Sequence, residues 1–299
     1  MENKNFDVII IGGSYAGLSA AMALGRSLRN VLIIDSGMPC NRQTPHSHNF
    51  ITHDGKTPKE ISGLAREQVK QYDTVKFLED TVTDINKEEN FHIETLNGGI
   101  FSAKKLILAS GVRDVMPDIA GFAECWGISV LHCPYCHGYE VKNEITGILA
   151  DGDMAFDFSK LVYNLTKDLY LLTNGKSVLS DEQKAKLAQN NIVLIEDPVQ
   201  RVDHENGYIR KVIFATGKEL PLKALYAKVP FEQNVSISGL GCELTEQGFI
   251  KVDFMQKTNI PGLFACGDNV TMMRSVANAV AQGNFTGAVV NKEMSEEEF

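Results

Sequence analysis

The sequence predicts an α/β chain of two doubly wound domains, the second inserted in the first. Three observations carry this. Asp7-Val8-Ile9-Ile10-Ile11 is a short, β-branched apolar run that leads into glycines and then a stretch of small residues. The same theme returns at Ile145 to Ala150, Asp151-Gly152-Asp153 and Ala155 to Leu165. A late apolar run, Gly262-Leu263-Phe264-Ala265, has no strand–helix–strand unit of its own and so is assigned back to the first domain. Strands that alternate with helices build parallel sheets covered on both faces, and such strands read as unbroken apolar runs.

In order along the chain, the strand Asp7 to Ile11 runs into the turn Gly12-Gly13-Ser14-Tyr15-Ala16-Gly17. Leu18 to Leu28 reads as the next helix, and Ala20, Ala21 and Ala23 let it lie close to a sheet. Val31 to Asp35 is a second strand ending in an acid, and Leu106 to Ala109 is a buried strand running into Ser110-Gly111. In the middle of the chain, Ile145 to Ala150 is a strand, Ala155 to Leu165 a helix, and Leu169 to Leu172 the next strand. The acidic tail Glu293 to Glu298 reads as a solvated helix end. The expected domains are residues 1–113 with 236–299, and 114–235 between them.

Composition narrows the function. The chain has 299 residues, 43% hydrophobic and 22% charged, an ordinary globular balance. A net charge of -9 argues against nucleic acid, whose phosphates call for clustered Lys and Arg, and against anionic lipid. The run Val8 to Ile11 is too short for a signal segment, and nothing approaches the roughly 18 apolar residues of a membrane span. A cytoplasmic location is expected. The six cysteines are scattered with one close pair, unlike a secreted disulfide framework; in a reducing compartment such a pair is catalytic or metal-binding more often than structural.

The first glycine turn sits where backbone N–H groups at a helix start can cradle a pyrophosphate. Gly12 and Gly17 are the outer glycines of G-x-G-x-x-G, and Ser14 replaces the middle one. Asp35 stands near the spacing of a ribose-binding acid. Alone, the motif also fits a tight turn with no ligand. Together with Ala109-Ser110-Gly111 and Cys266-Gly267-Asp268, however, it resembles the FAD-binding flavoprotein reductases, with Rossmann-like nucleotide domains. The resemblance covers nearly the whole chain and implies a non-covalent FAD. The residues it implies are Gly12, Gly13, Ser14, Tyr15, Ala16, Gly17, Asp35, Val82, Ala109 and Gly111, then Gly267 and Asp268 at the ribityl chain. Ser275 and Val276 come next, at a helix start, with Ser275 where glutamine is usual. Asn41, Arg42 and His48 belong to a loop that resembles a flavin-contacting segment; His46 and His53 lie in the same stretch, and a metal there is weakly supported.

Cys133-Pro134-Tyr135-Cys136-His137-Gly138 carries the chemistry. Two cysteines three apart can close a redox disulfide, and the thiolate nearer a helix start is favoured. A zinc site and an inert buried pair are the alternatives; zinc lacks a second C-x-x-C, and the flanking Pro and Gly suit a turn. Cys133 to Glu140 resembles the active site of low-molecular-weight thioredoxin reductases, closest to the gliotoxin- and holomycin-type dithiol oxidases. The resemblance implies that Cys136 faces the flavin and Cys133 exchanges with substrate. His137 stands where an Asp is usual and is the candidate general acid/base, with a turn-stabilising role as its alternative. Cys40, Cys125, Cys242 and Cys266 read as packing residues, and Trp126 as packing beside the dithiol.

The family's NADPH would fall on the second glycine turn, at Gly152 and Asp153. There Ala150 replaces the first glycine, Asp151 adds negative charge, and Thr173-Asn174-Gly175-Lys176 stands in place of an arginine-rich stretch. NADPH is therefore expected to be a poor reductant. The expected function is electron transfer from a reductant, through FAD and the Cys133–Cys136 pair, to a thioredoxin-like protein or a small-molecule disulfide. The alternatives are a ferredoxin- or flavoprotein-dependent reductase, a dithiol oxidase, and a non-catalytic redox sensor. Homodimerisation is implied by the resemblance.

Overall fold

The computed structural model describes residues 4–235 and 238–299. The chain divides into two compact units, one of Met1–Arg42, Phe50–Asp114 and Phe231–Phe299, the other of Gln43–Asn49 and Val115–Pro230. Both are doubly wound α/β. The division differs from the expected one in two places. Gln43–Asn49 goes with the second unit, and Phe231–Gln233 with the first, where it pairs antiparallel with Val112–Asp114. The boundary expected at 236 lies outside the described residues.

In the first unit, β1 (Asn5–Ile11), α1 (Tyr15–Arg26), β2 (Val31–Asp35), α2 (Pro58–Val69) and β3 (Val75–Glu79) form a parallel winding. β4 (Val82–Lys87), β5 (Phe91–Thr95) and β6 (Ile100–Leu108) extend it, giving the order β3-β2-β1-β6-β5-β4. β7 (Val112–Asp114) follows. The late strand β17 (Leu263–Ala265) pairs parallel with the C-terminal half of β6 and brings the final helix, α7 (Val276–Glu298), back onto the sheet. Val8 and Ile10 face one core and Ile9 and Ile11 the other, which is why the strand reads as continuously apolar.

Helix α1 begins at Tyr15, three residues before the expected Leu18, because the last residues of the glycine turn are already helical. It ends at Arg26 rather than Leu28, whose φ of 61° is left-handed and cannot continue a helix. Helix α7 packs tightly on α1: a Cβ on Gly283 would lie 2.0 Å from the Ala16 carbonyl oxygen. The acidic tail is not merely solvated. Glu293 and Glu297 hold the buried Lys105 at 2.7 and 2.6 Å, and Glu298 pairs with Arg29 at 2.6 Å. A lysine in the sheet needs counter-charges, and the tail provides them.

The second unit contains α3 (Phe122–Cys125), β8 (Val130–Leu131), α4 (Pro134–His137), β9 (Thr146–Leu149), α5 (Gly152–Val162), β10 (Leu169–Leu172), α6 (Asp181–Gln189) and β11 (Val193–Ile195). With β15 (Ala224–Ala227) these strands form a parallel sheet ordered β11-β10-β9-β15-β8. β12 (Val199–Glu205), β13 (Tyr208–Phe214) and β14 (Glu219–Pro221) make a small antiparallel sheet, after which β16 (Phe231–Gln233) returns to the first unit. Helix α5 spans Gly152–Val162 rather than Ala155 to Leu165; it opens directly from its glycine turn, where Gly152 takes a φ of 73°, and ends three residues early.

Candidate functional site

The dithiol is set by the end of a strand. β8 delivers His132 and then Cys133, still extended at φ −128° and ψ 117°, and Pro134 opens the single turn of α4. Proline suits that first position because its missing N–H has no helical acceptor there. Cys136 Sγ–H donates to Cys133 Sγ at 2.8 Å, and the backbone N–H groups of Cys136 and Tyr135 also reach that sulfur. These donors favour the charged form and bring the Cys133 thiol down to about 7, against the opposing effect of burial. The cysteines read as packing residues go the other way. Burial pushes Cys40 and Cys125 up to about 11 and Cys266 to about 12, and raises Cys242. Unlike these four, the Cys133 thiol is drawn toward neutral pH, where a larger share is thiolate.

Around the dithiol, burial lowers the pKa of His137, Glu140 acts to raise it, and His48 acts to lower it. His48 Nε2 is 3.5 Å from Glu140 Oε1, and the rings of His48 and His137 meet edge to face at 6.4 Å. His48, assigned from sequence to a flavin-side loop, thus stands beside the dithiol turn within the second unit. His46 neighbours it at 6.3 Å, while His53 stacks on Phe50 in the first unit. Trp126 lies edge-on to His132 and stacks on Phe122. Tyr135 and Tyr139, 65% and 71% exposed, present aromatic surface on either side of Cys136.

Two residues of this cluster had not been singled out. Glu140 was only the end of a motif, although its spacing of three from His137 on a turn is a readable signal. Tyr226 in β15 carries no motif that would mark it in the sequence. It is fully buried, its hydroxyl has no hydrogen-bond partner among the described residues, and its ionisation is opposed by burial, Cys133, Glu140 and Cys136. Only the register of β15 with β8, which pairs Tyr226 with Leu131, brings it near the dithiol.

In the first unit the glycine turn is open. Ser14 is the N-cap of α1, no side chain caps the helix, and its first turn has no acid. A Cβ on Gly12 would lie 2.3 Å from the Ala109 carbonyl oxygen, and one on Gly17 1.8 Å from that of Gly12, so strand, turn and helix approach as closely as glycine allows. Gly13 abuts Asp35, which has Arg66 at 3.9 Å. Asn41 donates to the Tyr15 hydroxyl at 3.3 Å and Arg42 to the Pro39 carbonyl; Gly111 takes a φ of 61°; Val82 opens β4, half-buried. Asp268 follows Gly267 into a buried ionic group. Arg274 grips Asp114 with two bonds of 2.7 and 3.1 Å, its Nε lies 3.6 Å from Asp268, and the Cys40 thiol donates to Asp268 at 3.7 Å. Burial raises the Asp268 carboxyl, with Arg274 opposing. Ser275 caps α7 by accepting from the Asn278 N–H, with Val276 the first helical residue.

The model of the pyridine nucleotide-disulphide oxidoreductases matches residues 6–283. The chain belongs to that family. Thioredoxin reductase tcpT of Claviceps purpurea is 34% identical over 98% of this chain and 96% of its own length. A putative thioredoxin reductase TrxB structure from Bacillus anthracis superposes with a TM-score of 0.94 at 32% identity, covering 98% of this chain and 100% of that one. The structure of HlmI aligns at 29% identity and a TM-score of 0.91, over 98% and 94%. This oxidoreductase is thus thioredoxin reductase-like.

FAD is the cofactor of this thioredoxin reductase-like group, and the first unit fits it. The uncapped α1 start would hold a pyrophosphate, Asp35 stands at the spacing of a ribose-binding acid, and the Asp268 carboxyl is a buried group able to accept from a polyol chain. The pyridine nucleotide fits the second unit poorly. Asp151 caps α5 with its own carboxylate, accepting from Gly152 N at 2.8 Å, Ser177 Oγ at 2.8 Å and Val178 N at 2.9 Å. Asp153 accepts from Gln183, and Glu196 accepts from the Ser177 N–H. The place a phosphate would take already holds an anion, with further acids beside it. Among the described residues, no helix is long and apolar enough to cross a membrane.

Proposed function

We propose that this oxidoreductase exchanges electrons with an external disulfide or dithiol through Cys133 and Cys136. The observation that carries this is the low-lying Cys133 thiol, fed by the Cys136 S–H at 2.8 Å. In the reducing direction the Cys133 thiolate attacks the external disulfide, forms a mixed disulfide and expels one external thiolate, which takes a proton. Cys136 then gives up its proton and displaces the second external sulfur, closing the Cys133–Cys136 disulfide; two electrons have left the protein. His137, kept neutral by burial, accepts the Cys136 proton, and the second departing sulfur takes its proton from solvent. Bound FAD supplies the two-electron exchange that reopens the protein disulfide.

The occupied α5 start favours a second reading, in which the same steps run in reverse. An external dithiol is oxidised, and the electrons leave to dioxygen; a ferredoxin-type donor is the counterpart in the reducing direction. Exposed Tyr135 and Tyr139 suit either a thioredoxin-like protein or an apolar small molecule. The assembly is proposed as a homodimer, and Gly12–Gly17, Asp35, Ala109, Gly111, Asp268 and Val276 as the FAD contacts.

The test is competitive labelling of the reduced protein with limiting iodoacetamide at neutral pH, read by peptide mass. Cys133 should label at least about tenfold faster than Cys136, because a drop of one pKa unit is roughly a tenfold gain in thiolate. Preferential labelling of Cys136, or slow labelling of both, would overturn the assignment.

A further inference from the structure

The second unit holds a line of acid–base groups that runs from the dithiol turn outward. His137 follows Cys136 directly and is half-buried. His48 meets His137 edge to face at 6.4 Å, and its side chain is 20% exposed. Glu140 stands 3.5 Å from His48 Nε2, and its side chain is 39% exposed. The line is assembled from two distant pieces of sequence: Gln43–Asn49 packs with this unit, where a Cβ on Gly127 would touch Thr44 and Gln43. A short segment brought across the sequence to place one imidazole between a half-buried histidine and an exposed acid calls for a role.

We propose that His48 and Glu140 are positioning residues for His137, and that the three form a proton relay between the dithiol and solvent. The inference rests on dithiol exchange at Cys133 and Cys136 and adds the route of its proton. When Cys136 becomes a thiolate, its proton passes to neutral His137. The imidazolium hands a proton to His48 directly or through one water, and His48 gives it to the Glu140 carboxylate or to bulk solvent. Each transfer restores the previous member, so one proton leaves for each thiol ionised and no oxidant or reductant is needed. In the oxidising direction the same line runs inward. The charged and titratable groups facing His137 are Glu140, His48, Cys133 and Cys136, with His46 next to His48. Tyr226, buried on the sheet, stays a neutral phenol.

The relay makes two predictions of opposite sign. Glu140 favours protonated His137 and His48 opposes it. Glu140→Gln should therefore move the His137 titration to lower pH and His48→Gln should move it to higher pH, as read by histidine-labelled NMR of the intact flavoprotein. This readout needs no turnover, so it stays separate from failure of the exchange reaction itself. In kinetics, both variants should slow dithiol oxidation about tenfold or more, and added imidazole buffer should restore much of the rate. Unchanged titrations, shifts in the same direction, or absence of rescue would overturn the relay. Should a variant fail to fold, the unaltered protein decides. A built relay makes its rate independent of buffer concentration, and a strong buffer dependence would overturn it.

Discussion

Removing the Asp151 carboxylate should weaken the second unit and open it to nucleotide at the same time. The side chain accepts three hydrogen bonds, from Gly152 N, Ser177 Oγ and Val178 N. An N-cap acid contributes about 1 kcal/mol, and the tie to Ser177 and Val178 adds a net contribution of about the same size. Glycine at an N-cap forfeits only a few tenths, so Asp151→Gly should cost roughly 1–1.5 kcal/mol, and Asp151→Asn less, since asparagine still caps. Those bonds hold the carboxyl below its usual range, against burial. A folded pKa below the unfolded value means stability that is fully present above an unfolded pKa of about 3.9 and lost as pH falls through the lower folded one. The gap between wild type and Asp151→Asn should thus close in acid. Freeing the helix start restores one charge-assisted contact to phosphate, worth about 1.5–3 kcal/mol, so NADPH affinity should rise by about one to two decades. Calorimetric titration with NADPH and NADH, alongside denaturant melts of the three proteins, reads both effects. Tight NADPH binding by the wild type, or no gain in Asp151→Gly, would refute the reasoning.

Two further outcomes are expected. Asp268→Ala should lose flavin on gel filtration, by about one to two decades in affinity, because it removes a buried charged acceptor; the ratio of flavin to protein absorbance measures this. Tyr226→Phe deletes a buried hydroxyl that has no partner among the described residues, and should leave the melting temperature unchanged or raise it by an amount equivalent to about 1 kcal/mol. Clear destabilisation would show that the hydroxyl is satisfied in solution.

Much of this architecture could be read from local pattern. Ile9, Ile10 and Ile11 sit on both faces of a buried strand, so an unbroken apolar run was a sound signal, and the two glycine turns marked the helix starts to within three residues. The dithiol was legible because its chemistry lies within four consecutive residues. What was hidden depends on contacts far apart in sequence. His48 could not be placed beside Glu140 without knowing that Gln43–Asn49 packs with the second unit. Tyr226 gains its position from strand register alone. Arg274 gains its role only in the fold, where its grip on Asp114 and Asp268 joins residues about 160 and 6 positions away. Asp151 was read correctly as a negative charge, yet its acceptance of bonds from residues 177 and 178 needed the folded loop.

The two glycine turns explain why one fold can keep one nucleotide and lose another. Both units place a helix start at the end of a parallel strand, and both starts carry the same positive backbone field. At α1 the cap is Ser14, which makes no side-chain bond to the helix, and no acid occupies the first turn, so that field is available to an external anion. At α5 the cap is Asp151, followed by Asp153, so the field is spent internally. A carboxylate there has an advantage that a bound phosphate lacks, because it is tethered and gives up little entropy when it binds. The difference between an open and a closed site therefore needs no change in fold. It also leaves the Cys133–Cys136 pair intact, so under the proposed function a closed nucleotide seat would redirect where the dithiol's electrons come from or go without removing the exchanging pair.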